Sequence, residues 1–140
     1  MVQTVLRYNM PVVPENNGFT ITAQGNTNIG DNPILTICTA YTGAKKKTGM
    51  VLMEVELLTG WEAVSPESLM NEVDSGVQRV EQDEKENKVV LYFDYMHREE
   101  KCIDLELKQV ITIENAWEAL ITVYDYSNTD ESASQLYSFN

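Results

Sequence analysis

Residues 34–58 read ILTICTAYTGAKKKTGMVLMEVELL, and their rhythm decides the fold. Over 34–42 the odd positions Leu35, Ile37 and Tyr41 are bulky. Over 50–58 the odd positions Val51, Met53, Val55 and Leu57 alternate with Glu54 and Glu56. Successive side chains on a strand point to opposite faces, so a two-residue period describes two strands that turn their odd residues toward a common core. Between them Gly43-Ala44-Lys45-Lys46-Lys47-Thr48-Gly49 places a glycine at each end of a reversal, and the expectation is a hairpin. The lysine triplet at its tip reads either as a basic contact point or as a solvated loop.

Outward from this stretch the same kind of pattern recurs. Further strands are expected near 4–13, 18–25, 77–83, 88–95, 102–110, 119–126 and 133–138. Ile103, Leu105 and Leu107 form an apolar phase against Asp104, Glu106 and Lys108. Val89, Leu91 and Phe93 supply another strand, and Leu120, Tyr124 and Tyr126 mark one face of the next. The stretch 15–32 reads as strand plus polar turn, with no linker inside the chain. One segment breaks the β pattern. Ser65-Pro66-Glu67 has the chemistry of a helix start: a serine oxygen to cap free amides, a proline for the first turn, and a carboxylate against the positive end. Leu69, Met70, Val73 and Val77 then recur at helical spacing, leaving Glu67, Asn71, Glu72 and Asp74 on the wet side, and Gly76 offers an exit. The fold class expected is all-β with one short helix, an antiparallel β-sandwich.

Composition narrows the function. The 140 residues suit one domain. Ten Lys and Arg against twenty-two Asp and Glu give a net charge of −12, which repels phosphate backbones and anionic lipid, so neither nucleic acid nor a membrane surface is an expected partner. No apolar run approaches spanning length, and no membrane insertion is expected. Residues 1–9 lack the pattern of a secretory signal, so a secreted protein would be represented here by a mature segment or fragment. His97, the one histidine, precedes Arg98, Glu99 and Glu100 and reads as a loop residue with no nucleophile to serve. Two cysteines and one histidine fall short of the four ligands of a closed zinc site. Asp94, Asp104 and Asp125 have no calcium-loop spacing and read as solvated strand and turn positions. Nucleophile elbows and glycine-rich phosphate loops are missing. No catalytic residue, cofactor or metal is expected.

Cys38 and Cys102 fall out of step with Ile37 and Ile103, which puts both on the polar faces of their strands. They either pair across neighbouring strands, closing a loop of about sixty residues for about 4 kcal/mol, or are unrelated thiols of a reduced cytosolic protein.

Taken in order, several segments resemble the C-terminal receptor-binding domain of the alpha-2-macroglobulin and complement thioester-protein family. These are Ile37-Cys38-Thr39-Ala40-Tyr41-Thr42-Gly43, the strand over 50–58 leading to Thr59-Gly60-Trp61, Val90-Leu91-Tyr92-Phe93-Asp94, and Val123-Tyr124-Asp125-Tyr126 followed by Thr129-Asp130-Glu131. Val5-Leu6-Arg7-Tyr8-Asn9 is similar to the junction with a preceding CUB domain. The resemblance covers roughly 11–139. It implies an exit strand or linker over 1–10, a receptor-binding sandwich over 11–140, and a disulfide between Cys38 and Cys102. It further implies a non-catalytic domain of a secreted, extracellular thioester-containing protein, acting in protease inhibition or innate immunity. The partners implied are a cell-surface receptor or other protein and the other domains of the parent chain; the family's Gly-Cys-Gly-Glu-Gln thioester motif lies in a different domain and is absent here. Vertebrate members engage lipoprotein-receptor relatives through one lysine just before the helix proline and one three residues after it. Those positions resemble Ser65 and Leu69 here, so that mode of engagement is not implied. The acidic helix face of Glu67, Asn71, Glu72 and Asp74 is the first expected contact surface and Lys45, Lys46 and Lys47 the second. The alternative reading is a free-standing adhesion or structural β-sandwich module.

Overall fold

The computed structural model describes residues 16–26, 32–72, 75–112 and 118–139. The expected strand near 4–13, the segment 1–10, Val73 and Asp74 lie outside them. Nine strands follow in order: β1 Phe19–Asn26, β2 Ile34–Tyr41, β3 Val51–Glu56, β4 Trp61–Ala63, β5 Val77–Asp83, β6 Lys88–Phe93, β7 Lys101–Gln109, β8 Ala119–Asp125 and β9 Asn128–Tyr137. They form a four-stranded sheet, β1-β2-β7-β4, and a five-stranded sheet, β5-β6-β3-β8-β9. The pairings are antiparallel throughout. The expected β-sandwich is the observed one.

The alternation read from the sequence builds the core. Leu35, Ile37 and Tyr41 from β2 and Ile103, Leu105 and Leu107 from β7 are buried from one sheet. Val51, Met53 and Val55 from β3 and Val89, Leu91 and Phe93 from β6 are buried from the other. The expected hairpin is wrong, however. β2 pairs with β1 and β7, β3 pairs with β6 and β8, and the two strands lie in different sheets. Inward odd residues fit strands that face each other across a core as well as strands that lie side by side. The loop after β2 therefore crosses the roughly 10 Å between layers instead of closing a ladder.

Strand phase does place the cysteines. Leu35 lies opposite Leu105 and Ile37 opposite Ile103, so Cys38 lies opposite Cys102 on the outer side of the same pair of strands. Their sulfurs are bonded at 2.09 Å. In β8 the face expected from Leu120, Tyr124 and Tyr126 is the outer one; Ala119, Ile121, Val123 and Asp125 point inward and are buried.

The helix is shorter and tighter than its apolar spacing suggested. It is a six-residue 3-10 helix, Pro66–Asn71, and Ser65 before it adopts a left-handed conformation, φ 45° and ψ 54°, without a side-chain cap. With three residues per turn, Pro66 and Leu69 fall on one face and are the two that bury. Met70, expected inside, is consequently 42% exposed. The chain then turns on Ser75, whose hydroxyl donates to the Leu69 carbonyl at 2.7 Å and accepts the Val77 amide at 3.2 Å.

Candidate partner-binding surface

The loop bearing Lys45, Lys46 and Lys47 sits at the end of the sandwich where β2 stops and β3 starts. Neighbouring connections pin it from several sides. The Thr48 amide donates to Met96 O at 2.9 Å, and the Met96 amide to the Thr48 hydroxyl at 2.9 Å. Tyr41 N donates to His97 O at 3.0 Å and Thr42 N to Gly18 O at 2.8 Å. Arg98 reaches across to the Gly43 carbonyl at 3.0 Å. The Tyr41 hydroxyl lies 3.1 Å from both carboxylate oxygens of Glu131. A β-carbon on Gly43 would run into that hydroxyl and that carboxylate, which is why the first glycine of the loop has no side chain.

Beneath the loop lies a fully buried carboxylate. Asp125 is 0% exposed. Its Oδ1 accepts the Ser127 amide and hydroxyl, each at 3.0 Å, and so shapes the β8–β9 turn. Its Oδ2 has no hydrogen-bond partner among the described residues and lies 3.7 Å from Lys45 Nζ. An unpaired buried anion is costly, so Lys45 is the countercharge that makes this placement tolerable. Asp125 is thus not the solvated turn residue expected; its odd position in β8, in step with Ile121 and Val123, was the available signal. Lys47 Nζ sits 4.8 Å from the centre of the Tyr95 ring, at cation–π range. His97 is a loop residue whose Nδ1 accepts the Glu99 amide at 3.1 Å.

The other expected surface is separate. Glu67 and Asn71 on the 3-10 helix and Glu72 just after it are exposed, and the helix packs on β5 and β7. Leu69, one of the two positions that resemble receptor-contacting lysines, is buried at 2% exposure. Neither position offers an ammonium group, and one of them does not face solvent.

Polar groups on the outer face of the five-stranded sheet are engaged with one another. Glu54 accepts Lys88 Nζ at 2.9 Å and the Tyr124 hydroxyl at 2.8 Å. Burial pushes the Glu54 carboxyl up, but the Lys88 and Tyr124 hydrogen bonds with the Lys88 charge outweigh it and hold it below its usual value. The same hydrogen bond raises Lys88 above its usual value. Burial first, then the bond to Glu54, pushes Tyr124 up to about 12. These groups stitch β6, β3 and β8 together. On the other sheet Cys38, Cys102 and Glu100 place potential ligand atoms within 4.8 Å of one another, but the sulfurs are bonded to each other and present no thiolate to an ion.

Three large side chains exposed at this end of the five-stranded sheet, Met50, Tyr95 and Tyr126, are not among the expected contact residues. They fall just outside β3, β6 and β8, where a residue's facing depends on how the loops are tied and not on strand phase.

A two-sheet antiparallel sandwich with a closed core, a cross-strand disulfide and a pinned end loop that carries three exposed lysines is the architecture of a protein-binding module. The chain belongs to the A-macroglobulin receptor binding domain family, whose model matches residues 46–138. It is 30% identical to alpha-2-macroglobulin-like protein 1 of Mus musculus over 144 residues, covering 99% of this chain and 10% of that protein. It is 29% identical to ovostatin of Gallus gallus over 145 residues, covering 98% of this chain and 10% of that protein. The chain therefore spans about a tenth of the length of these curated relatives. As a receptor-binding domain of this family it is non-catalytic and binds a receptor or another protein.

Proposed function

We propose that this chain is the receptor-engaging domain of a secreted, thioester-containing protease inhibitor of macroglobulin type, and that it docks the activated parent onto a cell-surface receptor. The observation that supports this most is the family match across β3 to β9, which begins at Lys46 inside the lysine loop and includes the 3-10 helix. The disulfide agrees with an oxidising, extracellular setting. Of the two surfaces, the lysine loop is favoured. It is the concentrated basic feature of a chain with net charge −12, and it is held at a fixed position. The 3-10 face offers Glu67, Asn71 and Glu72, Asp74 lying outside the described residues, and like-charge repulsion works against it wherever the receptor is acidic.

The test is binding of the fluorescently labelled domain to cultured hepatocytes, measured by flow cytometry. Lys45→Glu/Lys46→Glu/Lys47→Glu is expected to abolish saturable binding, and Glu67→Lys/Glu72→Lys to leave it intact. Unchanged binding in both variants rejects both surfaces. A parent gene without a Gly-Cys-Gly-Glu-Gln motif removes the thioester part of the reading.

A further inference from the structure

The two long sides of the sandwich are closed differently. On one side the edge strands β1 and β9 are tied together. Asn17, just before β1, and Ser132 of β9 exchange backbone hydrogen bonds of 2.8 Å, and the Asn16 side chain accepts the Ser134 amide at 3.0 Å. On the other side the edge strands are β4 and β5. β4 is three residues long, and the 3-10 helix spans this side by packing on β5 and β7. Toward the end of β5 the side is open. A cleft of about 350 Å³ lies there, between Glu62 and Ala63 of β4 and Gln82 and Asp83 of β5.

The lining of this cleft is apolar, aromatic and anionic. Val110 and Ile111 line it and are 51% and 60% exposed. One acceptor holds them both, since their amides donate to Gly60 O at 2.7 and 3.1 Å. Trp61 also lines it, fixed by a stack on Phe139 with ring centroids 5.0 Å apart. The β5–β6 turn contributes Asp83 and Glu84, which form no ion pair among the described residues. The lysines nearby are committed elsewhere. Lys108 pairs with Glu62 at 3.2 Å, and Lys88, which feels the Asp83 charge, pairs with Glu54 at 2.9 Å.

We infer that this cleft is an interaction site separate from the lysine loop, and that it takes a cationic peptide segment of a partner protein, an arginine lying along Trp61 with its guanidinium toward Asp83 and Glu84. An arginine has an apolar stem for the Trp61 side and a planar cation for the carboxylates, so it matches both parts of the lining. The volume is at the lower end of the range for ligand clefts and admits one or two side chains, which selects an extended segment over a folded surface. Charge complementarity sets the sign of the occupant. A net charge of −12 draws basic segments from a distance and repels anionic ones. Val110 and Ile111 favour a peptide with an apolar residue beside the arginine, because covering them removes apolar surface from water. The site stands at the opposite end of the sandwich from the lysine loop: Glu56 pairs with Lys88 at the cleft end of β3, and Val51 with Phe93 at the loop end.

The test titrates the intact, nitrogen-15-labelled chain with the peptide Gly-Arg-Leu-Arg-Gly, followed by NMR, with the same peptide carrying citrulline for arginine as control. The arginine peptide is expected to shift the Trp61 indole and the Gly60 and Ile111 amides while leaving the Lys46 and Thr48 amides in place. The citrulline peptide is expected to bind at least about tenfold more weakly. Asp83→Asn/Glu84→Gln keeps an oxygen at position 83 for the Glu86 amide, which Asp83 Oδ1 accepts at 3.1 Å. It is expected to weaken binding about tenfold at an unchanged melting temperature. Glu67→Gln/Glu72→Gln removes the same net charge from the 3-10 helix region and is expected to bind like wild type. Ile111→Ser is expected to weaken binding without altering its salt dependence. Equal losses in the two charge-neutralised variants overturn the inference, because they show a general attraction of a basic peptide to an acidic domain. Equal binding of the citrulline peptide, or peptide binding that leaves the Trp61 indole unshifted, overturns it as well.

Discussion

Replacing Cys38 and Cys102 together by serine isolates the contribution of the one covalent cross-link described. The bond closes a loop of 64-residue sequence separation. The chain-entropy model, in which a cross-link lowers the entropy of the unfolded chain with the logarithm of loop length, assigns such a loop about 4 kcal/mol. Side-chain packing adds little to the loss, because Cys102 is exposed and Cys38 only half-buried, so two serine hydroxyls there leave no cavity and reach solvent. The ladder on either side, Ile37 with Ile103 and Thr39 with Lys101, remains in register. At roughly 3–4 °C per kcal/mol for a domain of this size, the melting temperature is expected to fall by about 12–16 °C. Urea denaturation followed by tryptophan fluorescence supplies a second measure. The slope of stability against urea should rise as well, since an unfolded chain without the cross-link exposes more surface. A loss under about 1 kcal/mol with an unchanged slope would refute the reasoning. It would mean that the denatured chain keeps β2 and β7 together without the bond, leaving the cross-link no entropy to remove.

Other perturbations test other parts of the structure. Tyr137→Phe removes the hydroxyl that donates to the Glu56 carbonyl at 2.6 Å, and should cost about 1–2 kcal/mol in urea denaturation because the carbonyl loses its partner in a largely buried setting; a neutral result would show that water replaces the bond. The Glu54 cluster sets a pH dependence at both ends. Glu54 is held below its usual 4.5, so its stabilising effect is complete above that value and is lost as pH falls through the lower folded one. Lys88 is raised above its usual 10.5 and Tyr124 to about 12, so their contributions are complete below their unfolded values and are lost as pH rises through the folded ones. Melting temperatures of Glu54→Gln from pH 2 to 12 should therefore show shallower acid and alkaline arms, and a profile parallel to wild type would contradict the network. Gly43→Ala, which forces a β-carbon against the Tyr41 hydroxyl and the Glu131 carboxylate, should cost about 1–3 kcal/mol and speed hydrogen exchange at the Lys45 amide; unaltered exchange would show that the loop does not depend on this close approach.

How much of this was legible follows from which forces are local. Alternation along a strand is a property of consecutive residues, so the buried sets of β2, β3, β6 and β7 could be read directly, and with them the outer placement of both cysteines. Which sheet a strand joins is not local. Leu35 and Val51 obey the same inward rule from opposite sides of the core, and nothing in the lysine loop distinguishes a turn within one sheet from a crossing between two. The 3-10 helix failed differently. Four apolar residues at helical spacing predict a stripe, yet a helix whose buried residues are Pro66 and Leu69 has a period of three and leaves Met70 outside. For Asp125 two local rules conflict: alternation with Ile121 and Val123 turns it inward, whereas its charge favours solvent, and in the fold alternation wins.

That buried aspartate shows why a binding surface is harder to read than the fold beneath it. From the sequence, Lys45-Lys46-Lys47 is a uniform run, and its residues look interchangeable. The differences among them come from β8, about 80 residues further along the chain, where a carboxylate carried inward by strand phase captures Lys45, and from the turn after β6, where Tyr95 takes Lys47. A surface group acquires its individual role from whatever the fold brings beneath it. Lys46, which has no charged or aromatic partner among the described residues, is told apart from its neighbours only after the strands beneath the loop are placed.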